Sequence, residues 1–139
     1  MGTGSESIFA KIVAGEIPCQ RVYENDLILA FLDINPLAEG HTLVIPKRSA
    51  ERLEDLTPEE GAEIGRQLPI LARKIMQVTG SPGYNVLQNN GAVSGQEVPH
   101  VHFHIIPRRE GDQLGYRWRP QKSDPDALQA LAKRIQAQP

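Results

Sequence analysis

The spacing of apolar positions changes repeatedly along this chain, and each change marks an element. Ile8, Phe9, Ile12 and Val13 recur at helical spacing and predict a short helix over residues 7–14. Gly15-Glu16-Ile17-Pro18 ends it. Residues 22–24 and 27–33 predict two strands around an Asn25-Asp26 turn, and Leu43-Val44-Ile45-Pro46 predicts a third. Thr57-Pro58-Glu59-Glu60 reads as a helix start: Thr57 caps, Pro58 suits the first helical position, and Glu60 closes a capping box. That helix should reach about residue 78, facing Ile64, Leu68, Leu71, Ala72 and Ile75 inward, with a kink at Pro69. Strands over 84–88 and 101–107 follow, separated by the loop Asn89-Asn90-Gly91-Ala92-Val93-Ser94-Gly95. Asp124-Pro125 opens a last helix carrying Leu128, Leu131 and Ile135. The sum is an α+β fold: an antiparallel sheet of about five strands, one short and one long helix, and a C-terminal tail helix. Residues 1–114 form the expected domain and 115–139 an extension.

Composition narrows the partners. A chain of 139 residues fits one compact domain. A net charge of −2 counts against a nucleic-acid polymer and leaves single nucleotides open. Cys19 is the only cysteine, so no intramolecular disulfide forms and a reducing, cytoplasmic setting is expected. Met1-Gly2-Thr3-Gly4-Ser5-Glu6 lacks the basic and apolar regions of a secretory signal, and Glu6 breaks the myristoylation pattern. No apolar run approaches the roughly 20 residues of a membrane helix, so no membrane association is expected.

The chemistry lies in His100-Val101-His102-Phe103-His104. In a strand these histidines share one face, with Val101, Phe103 and Ile105 on the other. Three imidazoles in line admit two functional readings. Metal ligation suits neighbours roughly 6.6 Å apart. The outer pair, about 13 Å apart, is too far for easy joint ligation at about 2 Å, which makes a poor single-metal cage unless His41 helps or the strand bends. Phosphoryl or nucleotidyl transfer suits a row of imidazoles better, because one can attack phosphorus while others hold its oxygens. Gly91 and Gly95 in the preceding loop would let backbone N–H groups approach a phosphate.

The run His100-Val101-His102-Phe103-His104-Ile105-Ile106 resembles the histidine triad (HIT) family pattern. Gly95-Gln96, Asn89, Phe31-Leu32-Asp33-Ile34-Asn35-Pro36, Gly40-His41 and Leu43-Val44-Ile45-Pro46-Lys47 extend the likeness over about residues 7–108. The resemblance implies a nucleotide hydrolase in which His102 attacks the α-phosphate. The His100 carbonyl would fix its tautomer, His104 would contact the phosphate and leaving-group side, and His41 would complete the polar chain. It further implies that Asp33 holds the ribose hydroxyls, that Asn89, Gly95, Gln96 and Glu97 flank the phosphate, and that Ile8, Phe9, Ile12, Phe31 and Ile34 line a purine pocket. No cofactor is implied, the substrate would be AMP-like, and the assembly would be a homodimer.

Two positions depart from the family. Ser7 and Ala10 stand where many bacterial relatives carry a Cys-x-x-Cys pair for a structural zinc, so no metal is expected. Glu97 stands where some branches carry Ser or Thr, and an ionised carboxylate cannot donate to phosphate. It would either turn outward or favour a cationic leaving group such as an amine. The expected reaction is hydrolysis of AMP-linked phosphoramidates. Dinucleoside polyphosphate hydrolysis, a non-catalytic nucleotide-binding module and a metal-binding protein are the alternatives, and Pro107-Arg108 does not separate the two hydrolases.

Overall fold

The computed structural model describes residues 6–115 and 119–139. The N-terminal segment read for targeting signals, apart from Glu6, and residues 116–118 of the expected C-terminal extension lie outside the described residues. The elements run α1 (Ile8–Val13), β1 (Arg21–Glu24), β2 (Ile28–Leu32), β3 (Thr42–Pro46), α2 (Pro58–Thr79), β4 (Gly83–Gln88), β5 (Phe103–Arg108) and α3 (Pro125–Gln136), with single 3-10 turns at Leu53–Asp55 and Ala92–Ser94. The strands form one antiparallel sheet in the order β1-β2-β3-β5-β4.

Local chemistry accounts for the element ends. Asn25 Oδ1 accepts from the amides of Leu27 and Ile28, so a side-chain turn joins β1 to β2. At the start of α2, Thr57 Oγ1 accepts from Glu60 N at 3.1 Å while Glu60 Oε1 accepts from Thr57 N at 2.8 Å. Arg48 then pairs with both Glu60 oxygens, which holds a buried carboxylate ionised. Gly80, at φ 69°, closes the helix. The helix runs through Pro69 as one unit. Proline there removes a bond to the Gly65 carbonyl, on an exposed turn of the helix.

The sheet carries two cores. Ile28, Ala30, Val44 and Ile105 meet Ile64, Leu71, Ala72 and Ile75 of α2 on one face. Leu29, Phe31, Leu43 and Ile45 meet Phe9 and Ile12 of α1 on the other. Every β3 side chain is buried, as a strand covered on both faces requires. The tail helix α3 forms where expected, capped by Asp124, but all its residues are exposed.

The predicted histidine strand needs correction. β5 starts at Phe103, so only His104 lies in the ladder. In the register β3 would meet Val101 with Pro46, which has no N–H to give. Val101 N bonds the Ala50 carbonyl instead, and the Pro46 carbonyl is taken by a histidine ring.

Candidate active site

His100 is buried and its ring is clamped from both sides. Nε2 lies 2.8 Å from the Pro46 carbonyl, which only accepts, so the hydrogen sits on Nε2. Burial pushes the imidazole pKa down, keeping the ring neutral and leaving Nδ1 as an acceptor. Ser7 Oγ, 3.4 Å from Nδ1, supplies the facing hydroxyl. The same oxygen caps α1 by accepting from Ala10 N at 3.0 Å. Ser7 therefore serves as a hydrogen-bonding link between α1 and His100.

His102 donates Nδ1–H to the His100 carbonyl at 2.8 Å. A neutral imidazole protonated on Nδ1 has its lone pair on Nε2. That nitrogen has no bonding partner among the described residues, and no buried side-chain nitrogen is left unpaired, so Nε2 opens to solvent. Phe9 packs edge-on against the ring at 5.0 Å between centroids and limits its rotation.

His41 and His104 complete the array. The Leu37 amide donates to His41 Nδ1 at 3.1 Å, so the hydrogen of neutral His41 is on Nε2. That nitrogen lies 2.9 Å from His104 Nδ1, which must accept, leaving His104 with an Nε2–H. Burial lowers the His41 pKa against the opposing pull of Asp33. Burial, then the neighbouring His102 and His41, lower that of His104 to about 4. One histidine thus offers a lone pair and its neighbour, 4.9 Å away by ring centroid, offers a hydrogen. Asp33 accepts from Asn35 N through Oδ1 at 2.8 Å, and its Oδ2 lies 3.7 Å from His41 Nε2.

Asp33, His41 and His104 place one ligand atom each within 4.8 Å of one another. A neutral imidazole has one lone pair, and in His41 the Leu37 amide uses it. An ion at Nε2 would break that bond, so the trio fits a hydrogen-bonded chain better than a metal cage.

The loop before the triad departs from its expected role. Gly91 N–H is bonded to Gln96 Oε1 at 2.7 Å and Gly95 N–H to the Ala92 carbonyl at 3.0 Å. Both glycine amides therefore point into the loop, and the anion cradle expected from them is not formed. Their positive φ angles, 87° and 107°, explain the glycines. Gln96 braces the loop, since its Nε2 also reaches the carbonyls of Glu51 and Val98. Asn89 is half-buried beside Gly95, and Glu97 is exposed.

The expected purine pocket divides. Phe9, Ile12 and Phe31 pack together in the α1-side core. Ile8 and Ile34, 46% and 79% exposed, do not join them. Ile8 projects from the outer side of a one-and-a-half-turn helix, and Ile34 lies in the loop after β2, where no element covers it. Leu37 acts through its backbone amide, which carries no side-chain signal, and sequence reasoning missed it.

The HIT domain family matches residues 14–111. An adenosine 5′-monophosphoramidase of Schizosaccharomyces pombe is 47% identical over 92% of this chain and 94% of its own length. An adenylylsulfatase of Arabidopsis thaliana is 44% identical over 79% of this chain and 56% of its own. A HIT-family crystal structure from Bacillus subtilis, 42% identical, superposes with a TM-score of 0.89 over 94% of both chains. This chain belongs to the HIT family.

Proposed function

We propose that the protein hydrolyses AMP-linked phosphoramidates, or related purine nucleotide conjugates, through a nucleotidyl-histidine intermediate on His102. The observation that carries this reading is the free, solvent-facing Nε2 of His102, held in its nucleophilic tautomer by the His100 carbonyl. Nε2 attacks the α-phosphorus, the bond to the leaving nitrogen breaks, and the amine takes a proton from solvent as it departs. Water then cleaves the P–N bond to His102, releasing AMP and the neutral ring and returning a proton to solvent. His104 donates its Nε2–H to a phosphate oxygen. Asp33 accepts from the ribose hydroxyls, Asn89 flanks the leaving group, and the base lies against the Phe9, Ile12 and Phe31 side with Ile8 and Ile34 at the rim.

The named activities of the two relatives support an adenylyl group as the common part of the substrate. Exposed Tyr84, Val86 and Leu87 on the edge strand β4 and Ile70 and Val78 on α2 support a homodimer across that side. Incubation with an AMP-lysine-type phosphoramidate and separately with a diadenosine polyphosphate tests the reaction, with His102→Ala as control. Release of AMP only by the wild type is expected. Equal rates for the two proteins would sink the mechanism.

A further inference from the structure

His100 and His102 lie ahead of the β5 ladder, which begins at Phe103, so the sheet does not hold the carbonyl that fixes the His102 tautomer. Local anchors hold it instead. The buried His100 ring is engaged at both nitrogens, with Nε2 on the Pro46 carbonyl at 2.8 Å and Nδ1 facing Ser7 Oγ at 3.4 Å. The His100 amide bonds the Val98 carbonyl, and that of Val101 bonds the Ala50 carbonyl. Of these anchors, Ser7 alone also belongs to the start of α1. Its oxygen accepts from Ala10 N at 3.0 Å, so its one hydrogen is free for His100 Nδ1. Two residues further on, Phe9 stands edge-on to both rings, 5.0 Å from His102 and 6.1 Å from His100 between centroids. With only six residues α1 is too short to stay helical by itself, so its seat on the sheet depends on such contacts.

We propose that Ser7 is a positioning residue for the nucleophile: its hydroxyl locks α1 to the His100 ring and so holds both the His100 carbonyl and the Phe9 edge against His102. The inference rests on the reading above, in which His102 Nε2 attacks phosphorus. A donor at position 7 is needed because Pro46 takes the only ring hydrogen of neutral His100, which leaves Nδ1 a buried acceptor. Without the hydroxyl that acceptor is unpaired, and the ring gains by tilting toward water. The His100 backbone follows, since it lies outside the ladder, and its carbonyl leaves the line to His102 Nδ1. Once released from the ring, α1 also lets Phe9 slide off His102. Both changes let the His102 imidazole rotate and exchange tautomers, so that Nε2 carries the lone pair only part of the time. No covalent bond changes in this link, and Ser7 acts only through His100 and Phe9.

The test uses the full chain with Ser7→Gly, Ser7→Thr and Ser7→Ala. Glycine caps a helix nearly as well as serine but has no hydroxyl, threonine keeps both functions, and alanine has neither. With an AMP-lysine-type phosphoramidate, Ser7→Gly should lower kcat about fivefold, the worth of one hydrogen bond, and Ser7→Ala at least as much. Ser7→Thr should stay within about twofold of the wild type. Wild-type kcat in Ser7→Gly, or a loss confined to KM, would overturn the proposal. So would a loss seen only in Ser7→Ala, because the helix cap would then be the whole effect. A second readout needs no turnover: the ¹⁵N signals of the His102 ring at a pH where the histidines are neutral. Wild type and Ser7→Thr should show a single Nδ1–H form. In Ser7→Gly the two nitrogen signals should move toward each other as the tautomers average, and unchanged signals there refute the positioning role. An inert wild type whose His102 signals still average in Ser7→Gly would instead refute the proposed hydrolysis alone.

Discussion

A Cβ on Gly40 would lie 2.7 Å from Thr79 Cγ2, so the residue before His41 is wedged against the end of α2. Ile75 Cγ2 and Pro107 Cγ stand at 3.2 and 3.3 Å from the same point, and φ is +89°. Thr79 cannot swing aside freely, because its hydroxyl bonds the Ile75 carbonyl and Ser81 Oγ. Gly40→Ala should therefore destabilise the protein by roughly 1–3 kcal/mol and displace His41 from His104. Urea melts and kcat measure the two effects. Adding Thr79→Ser removes the clashing methyl and should recover part of the stability; no recovery would mean that the backbone angle alone sets the loss.

Stability should fall between pH 6.5 and about 4. His41, His100 and His104 all have folded pKa values below the ordinary imidazole value of 6.5. Above pH 6.5 both folded and unfolded rings are neutral and nothing changes. As pH drops through 6.5 the unfolded chain takes up protons that the folded one refuses until its own lower pKa values, so stability is lost across that window. Asp112 and Glu60 are shifted the same way, but from 3.8 and 4.5, so they act at lower pH. Calorimetry at pH 5 in two buffers should show net proton uptake on unfolding. A stability flat from pH 7 to pH 5 would contradict the shifts.

Glu97 is exposed just after the loop of residues 91–95 and bonds nothing among the described residues that would fix it elsewhere. If it greets an amine leaving group, Glu97→Ser should lower turnover of the amine conjugate relative to the polyphosphate. An unchanged ratio means the carboxylate simply faces water.

Glu60 closes the α2 cap and pairs with Arg48 while only 4% exposed. Glu60→Ala removes the cap contact and leaves a partner unpaired, at a cost of about 2–3 kcal/mol. Arg48 is half exposed, so Arg48→Ala should cost less, since the cap remains. The order of the two melting points checks this, and a reversed order would show the ion pair to dominate.

The sequence by itself determined most of the elements and pointed to the candidate site. Thr57, Pro58, Glu60 and Gly80 carry their instructions within one helical turn, so both ends of α2 were readable. Strands with alternating or wholly apolar patterns were readable for the same reason, and His102 stood out because three imidazoles cluster in five residues. Only the tertiary structure decided what each imidazole does. The tautomers of His100, His102 and His104 are set by the Pro46 carbonyl, the His100 carbonyl and His41, and that of His41 by the Leu37 amide. Backbone groups look alike in every residue, so their pairing across the sheet leaves no mark in composition or period. Likewise Gly91 and Gly95 promised close backbone approach to a ligand, but folding alone directed their N–H groups inward to Gln96 and Ala92.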